Sequence, residues 1–217
     1  MKKEIIRAIN SMSGKYSAYE VFTDWIRCSS LAISNSCRLF RDKIWKDREQ
    51  MYMDTLRKYT QGEQKLFMEM FGMLQTALEE DMTDILGQIY MESGMGSKAA
   101  GQFFTPYHLS ELCARLTVPE PDENGKVFLN EPSCGGGGMI IAAAAALRDK
   151  GFDYQRNLEV VAQDLDWKGV YMCYLQLSLL GIRAVCAQGN TLAHPCIPGM
   201  TPSENILLTP GKAGMLL

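Results

Sequence analysis

The chain has 217 residues, 47% of them hydrophobic, which suits one ordinary domain or a domain with a helical extension. Its 22 basic and 25 acidic residues leave a net charge of −3, so no global positive field indicates nucleic-acid binding. Any affinity for DNA must then come from a local patch or a partner. No apolar run approaches the ~18 residues that span a bilayer, and no signal peptide pattern is present. The seven cysteines form no CxxC pair, which indicates reduced thiols, no metal site and a cytoplasmic location.

The N-terminal part of the chain carries helical patterns. The segment Ser17-Ala18-Tyr19-Glu20 has the form of a capping box, in which a serine and a glutamate three residues later cap each other's backbone. Further helices are expected over 37–59 and 62–91, where apolar side chains recur at helical spacing. The segment 93–98, which contains two glycines, then predicts a flexible break.

Beyond this break, predicted helices and strands alternate. Thr105 as an N-cap and Pro106 at the first helical position are expected to open a helix. Strands are expected at 126–130, 158–163, 183–188 and 206–208, with helices at 138–149 and 167–180. Such alternation implies a parallel sheet with helices on its faces. We therefore predict an α/β fold in two parts, a helical N-terminal region at 1–95 and a doubly wound domain at 96–217.

The most informative segment is a glycine-rich loop at 130–139, Asn-Glu-Pro-Ser-Cys-Gly-Gly-Gly-Gly-Met, between a predicted strand and an alanine-rich helix. Such a loop lets a ligand approach the backbone, and its amides and helix N-terminus favour electron-rich groups. A P-loop would require Gly-Lys-Ser/Thr, which the loop lacks. The dinucleotide fingerprint GxGxxG is weak, because Ile140 and Ile141 stand where its third glycine would be.

The remaining candidate ligand is S-adenosylmethionine. The loop residues 133–138 would pass under its methionyl and ribose portions without obstructing side chains. Asp164, after the second strand, would accept hydrogen bonds from the ribose diol, and Asn190, after the third, would meet the adenine amine. These strand ends share the carboxyl edge of a doubly wound sheet, where ligands bind. Simpler roles stay open: a tight turn for the glycines, a helix N-cap for Asp164, although Asp166 suits it better, and a turn for Asn190.

Several segments resemble the modification subunits of type I restriction systems, which are N-6 adenine-specific DNA methylases. They are Gly101-Gln102-Phe103-Phe104-Thr105-Pro106, Glu131-Pro132-Ser133-Cys134-Gly135-Gly136-Gly137-Gly138 and Ala162-Gln163-Asp164-Leu165. The stretch 84–90 also resembles the end of that family's helical N-terminal region. The resemblance is close over 84–192 and loose before it. It implies a Rossmann-like, S-adenosylmethionine-dependent methyltransferase fold with an incomplete parallel sheet, acting on adenine N6 in DNA.

The resemblance also implies roles for individual positions. Those that match cofactor-binding positions are Phe103, Phe104, Thr105, Pro106, Glu131, Pro132, Ser133, Cys134, Gly135, Gly137, Asp164 and Asn190. The first four match a segment that lies against the methionyl end, and Cys134 is expected to be structural rather than a nucleophile. The resemblance implies two partners: DNA, which is contacted through other subunits, and a specificity or complementary methylase subunit. Self-association through the helical extension is a further expectation.

The sequence departs from the family at the catalytic motif. The amino lone pair of adenine is delocalised into its ring, so the amine is a weak nucleophile. The family assists methylation with an Asn/Asp-Pro-Pro-Tyr/Phe motif after the fourth strand. Oxygen atoms of this motif accept the amine hydrogens, and its aromatic ring stacks on the flipped-out base. None of the eight prolines here is adjacent to another, and Thr209 is a weak substitute acceptor. Catalytic residues are therefore unassigned. Two explanations stay open: a truncated or divergent, catalytically inactive cofactor-binding or scaffolding module, and one piece of a split enzyme completed by a second polypeptide.

Overall fold

A computed structural model of the chain describes residues 1–95 and 104–214, so Phe103 and the first half of the Gly-Gln-Phe-Phe-Thr-Pro segment lie outside the described residues. The helices are α1 (Lys2–Ser11), α2 (Ala18–Ser36), α3 (Lys43–Leu56), α4 (Gln61–Glu80), α5 (Ile85–Glu92), α6 (Tyr107–Thr117), α7 (Gly138–Asp149), α8 (Tyr154–Asn157), α9 (Trp167–Leu179) and α10 (Pro210–Ala213). The strands are β1 (Val127–Glu131), β2 (Leu158–Asp164), β3 (Arg183–Gln188) and β4 (Ile206–Leu208). None of the helices in these ranges has the length and apolar character to cross a membrane.

The N-terminal region is helical, as predicted. The capping box at the start of α2 is confirmed, because the Glu20 amide donates to Ser17 Oγ at 3.2 Å and the Ser17 amide donates to Glu20 Oε2 at 3.0 Å. Helix α1 was not predicted from the sequence. It buries Ile5 and Ile9, a single pair at helical spacing, which gives too short an apolar pattern to recognise.

The expected helix over 62–91 is two helices in the structure. Helix α4 ends at Glu80, and Asp81 has an extended backbone with φ −146°. The Asp84 side chain then accepts a hydrogen bond from the Gly87 amide at 2.8 Å and caps α5. The apolar spacing runs through the break because both helices face one core, so periodicity alone could not locate the break.

The sheet confirms the predicted α/β fold. Its strands lie in the order β1-β2-β3-β4, and the first three are parallel, with Leu129 opposite Val160 and Val160 opposite Ala184. Strand β4 forms where expected, but it runs antiparallel to β3, with Leu207 opposite Cys186. The result is an open and mostly parallel sheet of the Rossmann-like methyltransferase type.

Helix α9 joins the sheet to the N-terminal helices. It packs against β2 and β3 on one side and against α2 on the other, and nearly all its side chains are buried. Ser30 Oγ of α2 donates to the Tyr171 carbonyl at 3.1 Å across this contact. Arg48 of α3 adds a second connection, because its guanidinium donates to the Ile206 carbonyl of β4 at 2.6 Å. The two parts of the described chain therefore share a continuous core.

Strand β1 forms one end of the sheet. It pairs with β2, and no strand in residues 1–95 or 104–214 pairs with its other side. The Phe128 side chain on this strand is 75% exposed. Leu112 and Leu116 of α6 are also exposed, so apolar side chains of both elements face solvent.

Candidate functional site

The loop between β1 and α7 has a backbone that requires glycine at two predicted positions. Gly135 has φ +49° and Gly137 has φ +93°, both in the left-handed region. A Cβ on Gly135 would lie 2.8 Å from the Phe104 ring, and one on Gly137 would lie 3.2 Å from Cys173 Sγ. The Gly137 amide also donates to the Cys134 carbonyl at 2.7 Å, which closes the turn before α7. The glycines thus bring the loop backbone against its neighbours.

Asp164 lies directly against this loop, as the sequence predicted. Its Oδ2 accepts a hydrogen bond from the Gly135 amide at 2.8 Å, and its Oδ1 accepts one from the Asp166 amide at 2.9 Å. The alternative role of Asp164 as a helix N-cap is wrong, because Asp166 caps α9 through the Lys168 amide at 3.0 Å. The carboxylate instead connects the end of β2 to the glycine loop.

Asn190 stands apart from this arrangement. Its Oδ1 accepts hydrogen bonds from the amides of Leu192 at 3.0 Å and Ala193 at 3.4 Å, which is the simple turn role left open by the sequence. Its neighbour Thr191 donates through Oγ1 to the Pro132 carbonyl at 2.7 Å, so the segment after β3 is tied to the glycine loop. A contact of Asn190 with adenine stays a prediction.

A pocket of about 310 Å³ opens over the loop, within the size range of small-molecule sites. Six of the predicted site residues line it: Phe104, Thr105, Ser133, Cys134, Gly135 and Asp164. Its lining does not include the other predicted residues that the structure describes, which are Pro106, Glu131, Pro132, Gly137 and Asn190. The structure therefore brings the two distant parts of the predicted site, the segment at 104–105 and the strand ends, to one cavity.

The start of α6 differs from the prediction by one residue. Pro106, rather than Thr105, occupies the N-cap position, and the helix begins at Tyr107. Pro106 has ψ 131°, so its backbone is still extended and the proline does not enter the first turn. Thr105 therefore lies outside the helix and lines the pocket. The Tyr107 hydroxyl donates to the Met82 carbonyl at 2.7 Å and so positions the start of the helix.

Sequence reasoning assigned no site role to Asp84 and Gln176. Gln176 is fully buried on α9, and its Nε2 donates to Asp84 Oδ1 at 2.8 Å and to the Gly136 carbonyl at 2.7 Å. Its Oε1 accepts a hydrogen bond from the Leu86 amide at 3.0 Å. Burial raises the pKa of Asp84, while the hydrogen bonds from Gln176 and Gly87 act in the opposite direction. A lone glutamine within an apolar helix was the available signal for this interaction.

Cys134 is a buried thiol at the base of the loop. The hydrogen bond with Cys173 lowers the pKa of Cys134, but burial and the nearby groups Cys186, Asp164 and Glu131 raise it, and the net pKa lies above its usual value. A thiol held protonated is a poor nucleophile. This environment supports a structural role for Cys134.

Thr209 lies at the opposite edge of the sheet from the glycine loop, because β4 is antiparallel. It is fully buried, and its Oγ1 donates to the Ile182 carbonyl at 2.8 Å and accepts from the Ala184 amide at 2.9 Å. These partners precede or begin β3, whereas Asp164 and the loop follow the ends of β2 and β1. Thr209 therefore cannot accept the protons of an amine bound at the pocket.

The comparison with protein families agrees with this geometry. A family model described as N-6 DNA Methylase matches residues 81–210, which is more than half of the chain. The matched segment begins just before Asp84 and contains the glycine loop, Asp164 and all four described strands. From this match, and from the Rossmann-like sheet that carries the loop, we conclude that the chain belongs to the N-6 DNA methylase family.

Proposed function

We propose that the chain binds S-adenosylmethionine in the pocket over the glycine loop and takes part in the N-6 methylation of adenine in DNA, as a modification-type subunit of a cytoplasmic restriction-modification system. The observation that carries the proposal is the 2.8 Å hydrogen bond between the Gly135 amide and Asp164 Oδ2. It places an acidic side chain and a bare loop backbone on one cavity, at the carboxyl edge where open α/β sheets bind ligands.

The lining residues fit the parts of this cofactor. Each oxygen of Asp164 accepts one backbone amide and keeps a further lone pair, so the carboxylate has the capacity to accept the ribose hydroxyls. Gly135 and Gly136 present backbone without side chains, and Phe104 and Thr105 form the wall expected beside the methionyl end. When bound, the cofactor supplies an activated methyl group. The described residues would hold and orient it.

Residues 1–217 contain no Asn/Asp-Pro-Pro-aromatic sequence, so in this proposal other residues accept the amine protons, and we place them on a second polypeptide. The unpaired side of β1 offers a place for it, since unpaired backbone groups of an edge strand pair readily with an added strand. An added strand parallel to β1 would end beside Glu131 and the start of the loop. Exposed Phe128 and Leu116 provide apolar surface for such a partner.

The lack of the catalytic motif also supports a second candidate function. A cofactor pocket in residues 1–217, which contain no such motif, also fits a catalytically inactive module that binds S-adenosylmethionine and scaffolds its DNA-associated partners. The two candidates differ in one outcome only, which is methyl transfer in the presence of the complementary polypeptide.

Calorimetric titration of the purified chain with S-adenosylmethionine tests the cofactor site. We expect saturable binding that Asp164→Ala weakens at least about tenfold, the scale of one lost charge-assisted hydrogen bond. Asp54→Ala, a change at an exposed acid on α3, is the matched control and should leave the affinity unchanged. Absence of binding by well-folded wild-type chain would exclude the cofactor assignment.

Transfer of a tritiated methyl group to unmethylated duplex DNA tests the reaction. We expect no transfer by the chain alone. Adding the catalytic-motif half of a single-chain DNA adenine methylase is the direct complementation test, and transfer in that mixture would support the split enzyme. Cofactor binding without transfer in the mixture would favour the inactive module.

A further inference from the structure

Asp84 places a second carboxylate in the pocket, separate from that of Asp164. The Asp84 side chain lines the cavity although the residue is only 4% exposed. Its Oδ1 lies 3.1 Å from the position that a Cβ on Gly136 would take, and its Oδ2 lies 3.2 Å from the corresponding position on Gly138. Asp164 contacts the preceding residue of the loop, Gly135. The two acids therefore meet successive parts of the glycine loop.

The Asp84 carboxylate lacks a cationic partner within the part of the chain that the structure describes. Its hydrogen bonds come from the Gly87 amide and from Gln176 Nε2, and both end on Oδ1. None of the ion pairs that form in residues 1–95 and 104–214 involves Asp84. Buried carboxylates are normally paired with a positive charge, and burial here raises the pKa of Asp84. A cationic ligand group would supply the missing charge.

Ser110 contributes a second unsatisfied group to the same cavity. This serine on α6 is fully buried and lines the pocket with Asp84. Its Oγ has no hydrogen-bond partner among the described residues. A buried hydroxyl without a partner costs stability, and such groups in native proteins are often explained by a bound ligand or water.

We propose that Asp84 and Ser110 form the subsite for the primary ammonium group of the cofactor's methionyl portion. The inference rests on the proposed binding of S-adenosylmethionine and assigns one end of that ligand to residues on α5 and α6. An ammonium group has three N–H donors, which a carboxylate and a hydroxyl can accept together. The sulfonium centre also carries positive charge, but it has no hydrogen to donate. The donor count therefore favours the ammonium group for this pair.

Asp84→Asn is a suitable test because it changes little except charge. Asparagine keeps the oxygen that receives the two existing hydrogen bonds and replaces only Oδ2 with an amino group. Titration should use S-adenosylmethionine, S-adenosylhomocysteine, which keeps the ammonium group but lacks the sulfonium, and 5′-methylthioadenosine, which lacks the amino-acid portion. We expect about tenfold to one-hundredfold weaker binding of the first two ligands and unchanged binding of the third.

Other outcomes would overturn the assignment. If Asp84→Asn weakens the binding of S-adenosylmethionine alone, the sulfonium and not the ammonium group lies at Asp84. If wild type and Asp84→Asn bind all three ligands equally well, Asp84 is not part of the site, and the proposed function still stands. No binding by folded wild-type chain would overturn both. Asp81→Asn, at an exposed acid nearby, should not change the affinities and serves as the control.

Ser110→Ala gives an independent measurement on the second residue. We expect several-fold weaker binding of both ammonium-bearing ligands together with a higher melting temperature of the free chain, since an unsatisfied buried hydroxyl is removed. Ser178→Ala, at a buried serine of α9 outside the pocket lining, should leave the affinities unchanged. Unchanged affinity in Ser110→Ala would exclude Ser110 from the subsite.

Discussion

Gln176 Nε2 donates a 2.8 Å hydrogen bond to Oδ1 of Asp84, across 92 residues of sequence. The same nitrogen donates to the Gly136 carbonyl at 2.7 Å. One buried side-chain amide therefore forms hydrogen bonds both with Asp84, the N-cap residue of α5, and with the glycine loop. The geometry of the pocket therefore depends on the helical region as well as on the sheet. Three of the four predictions below concern groups in or beside this arrangement.

Replacing Gln176 by leucine should destabilise the chain by about 2–4 kcal/mol, because Asp84, the Gly136 carbonyl and the Leu86 amide would each lose a buried partner. Urea unfolding followed by circular dichroism measures this change. Gln75→Leu, at an exposed position of α4, is the matched control and should stay within about 0.5 kcal/mol of wild type. Equal stability of the two variants would show that the buried hydrogen bonds contribute little.

Gly135→Ala should destabilise the chain by about 1–3 kcal/mol and weaken S-adenosylmethionine binding, because Gly135 has φ +49° and a Cβ would lie 2.8 Å from the Phe104 ring. Gly72→Ala should have the opposite effect. That glycine lies in the middle of α4 with open space around it, so alanine should stabilise by about 0.5–1 kcal/mol. Thermal unfolding and calorimetric titration of both variants check the pair. A stabilising effect of Gly135→Ala would contradict the loop geometry.

The stability gained by Asp84→Asn should increase with pH. Burial raises the pKa of Asp84 in the folded chain above its usual 3.8, so the folded state binds this proton more tightly than the unfolded state. Wild type therefore loses stability as pH rises from about 4 through the folded pKa, whereas asparagine does not titrate. Urea unfolding of both proteins between about pH 4 and pH 7 gives the difference in their free energies of unfolding, and titration of the groups common to both proteins cancels in that difference. A difference that is constant or falls with pH would contradict the raised pKa.

Charged substitutions on the free edge of the sheet should separate partner docking from cofactor binding. Phe128→Glu and Leu116→Glu alter exposed side chains, so we expect stability within about 0.5 kcal/mol of wild type and unchanged affinity for S-adenosylmethionine. Methyl transfer in the complementation mixture should be lost, because the apolar contact surface and the strand edge are disrupted. Leu39→Glu, at another exposed leucine, is the control. Transfer that persists in Phe128→Glu would place the partner elsewhere.

Features that depend on neighbouring residues were predictable from the sequence. The capping box at Ser17 and the glycine loop at Gly135 follow from local hydrogen bonding and from backbone conformations that only glycine adopts readily. The position of Asp164 beside the loop follows from the shared carboxyl edge of parallel strands. Predictions failed where two local preferences competed, as at Asp84, where a helix cap interrupts a continuous apolar pattern.

The sequence by itself determined the α/β class, the family and the loop that carries the proposed cofactor site, because these follow from periodicity, glycine conformation and a specific run of residues. Only the tertiary structure decided that β4 runs antiparallel and removes Thr209 from the site, and that Gln176, Asp84 and Ser110 meet at or beside the pocket. Strand direction depends on the path of the connection, and a buried polar contact depends on which distant helices pack together. Neither leaves a periodic signal in the sequence.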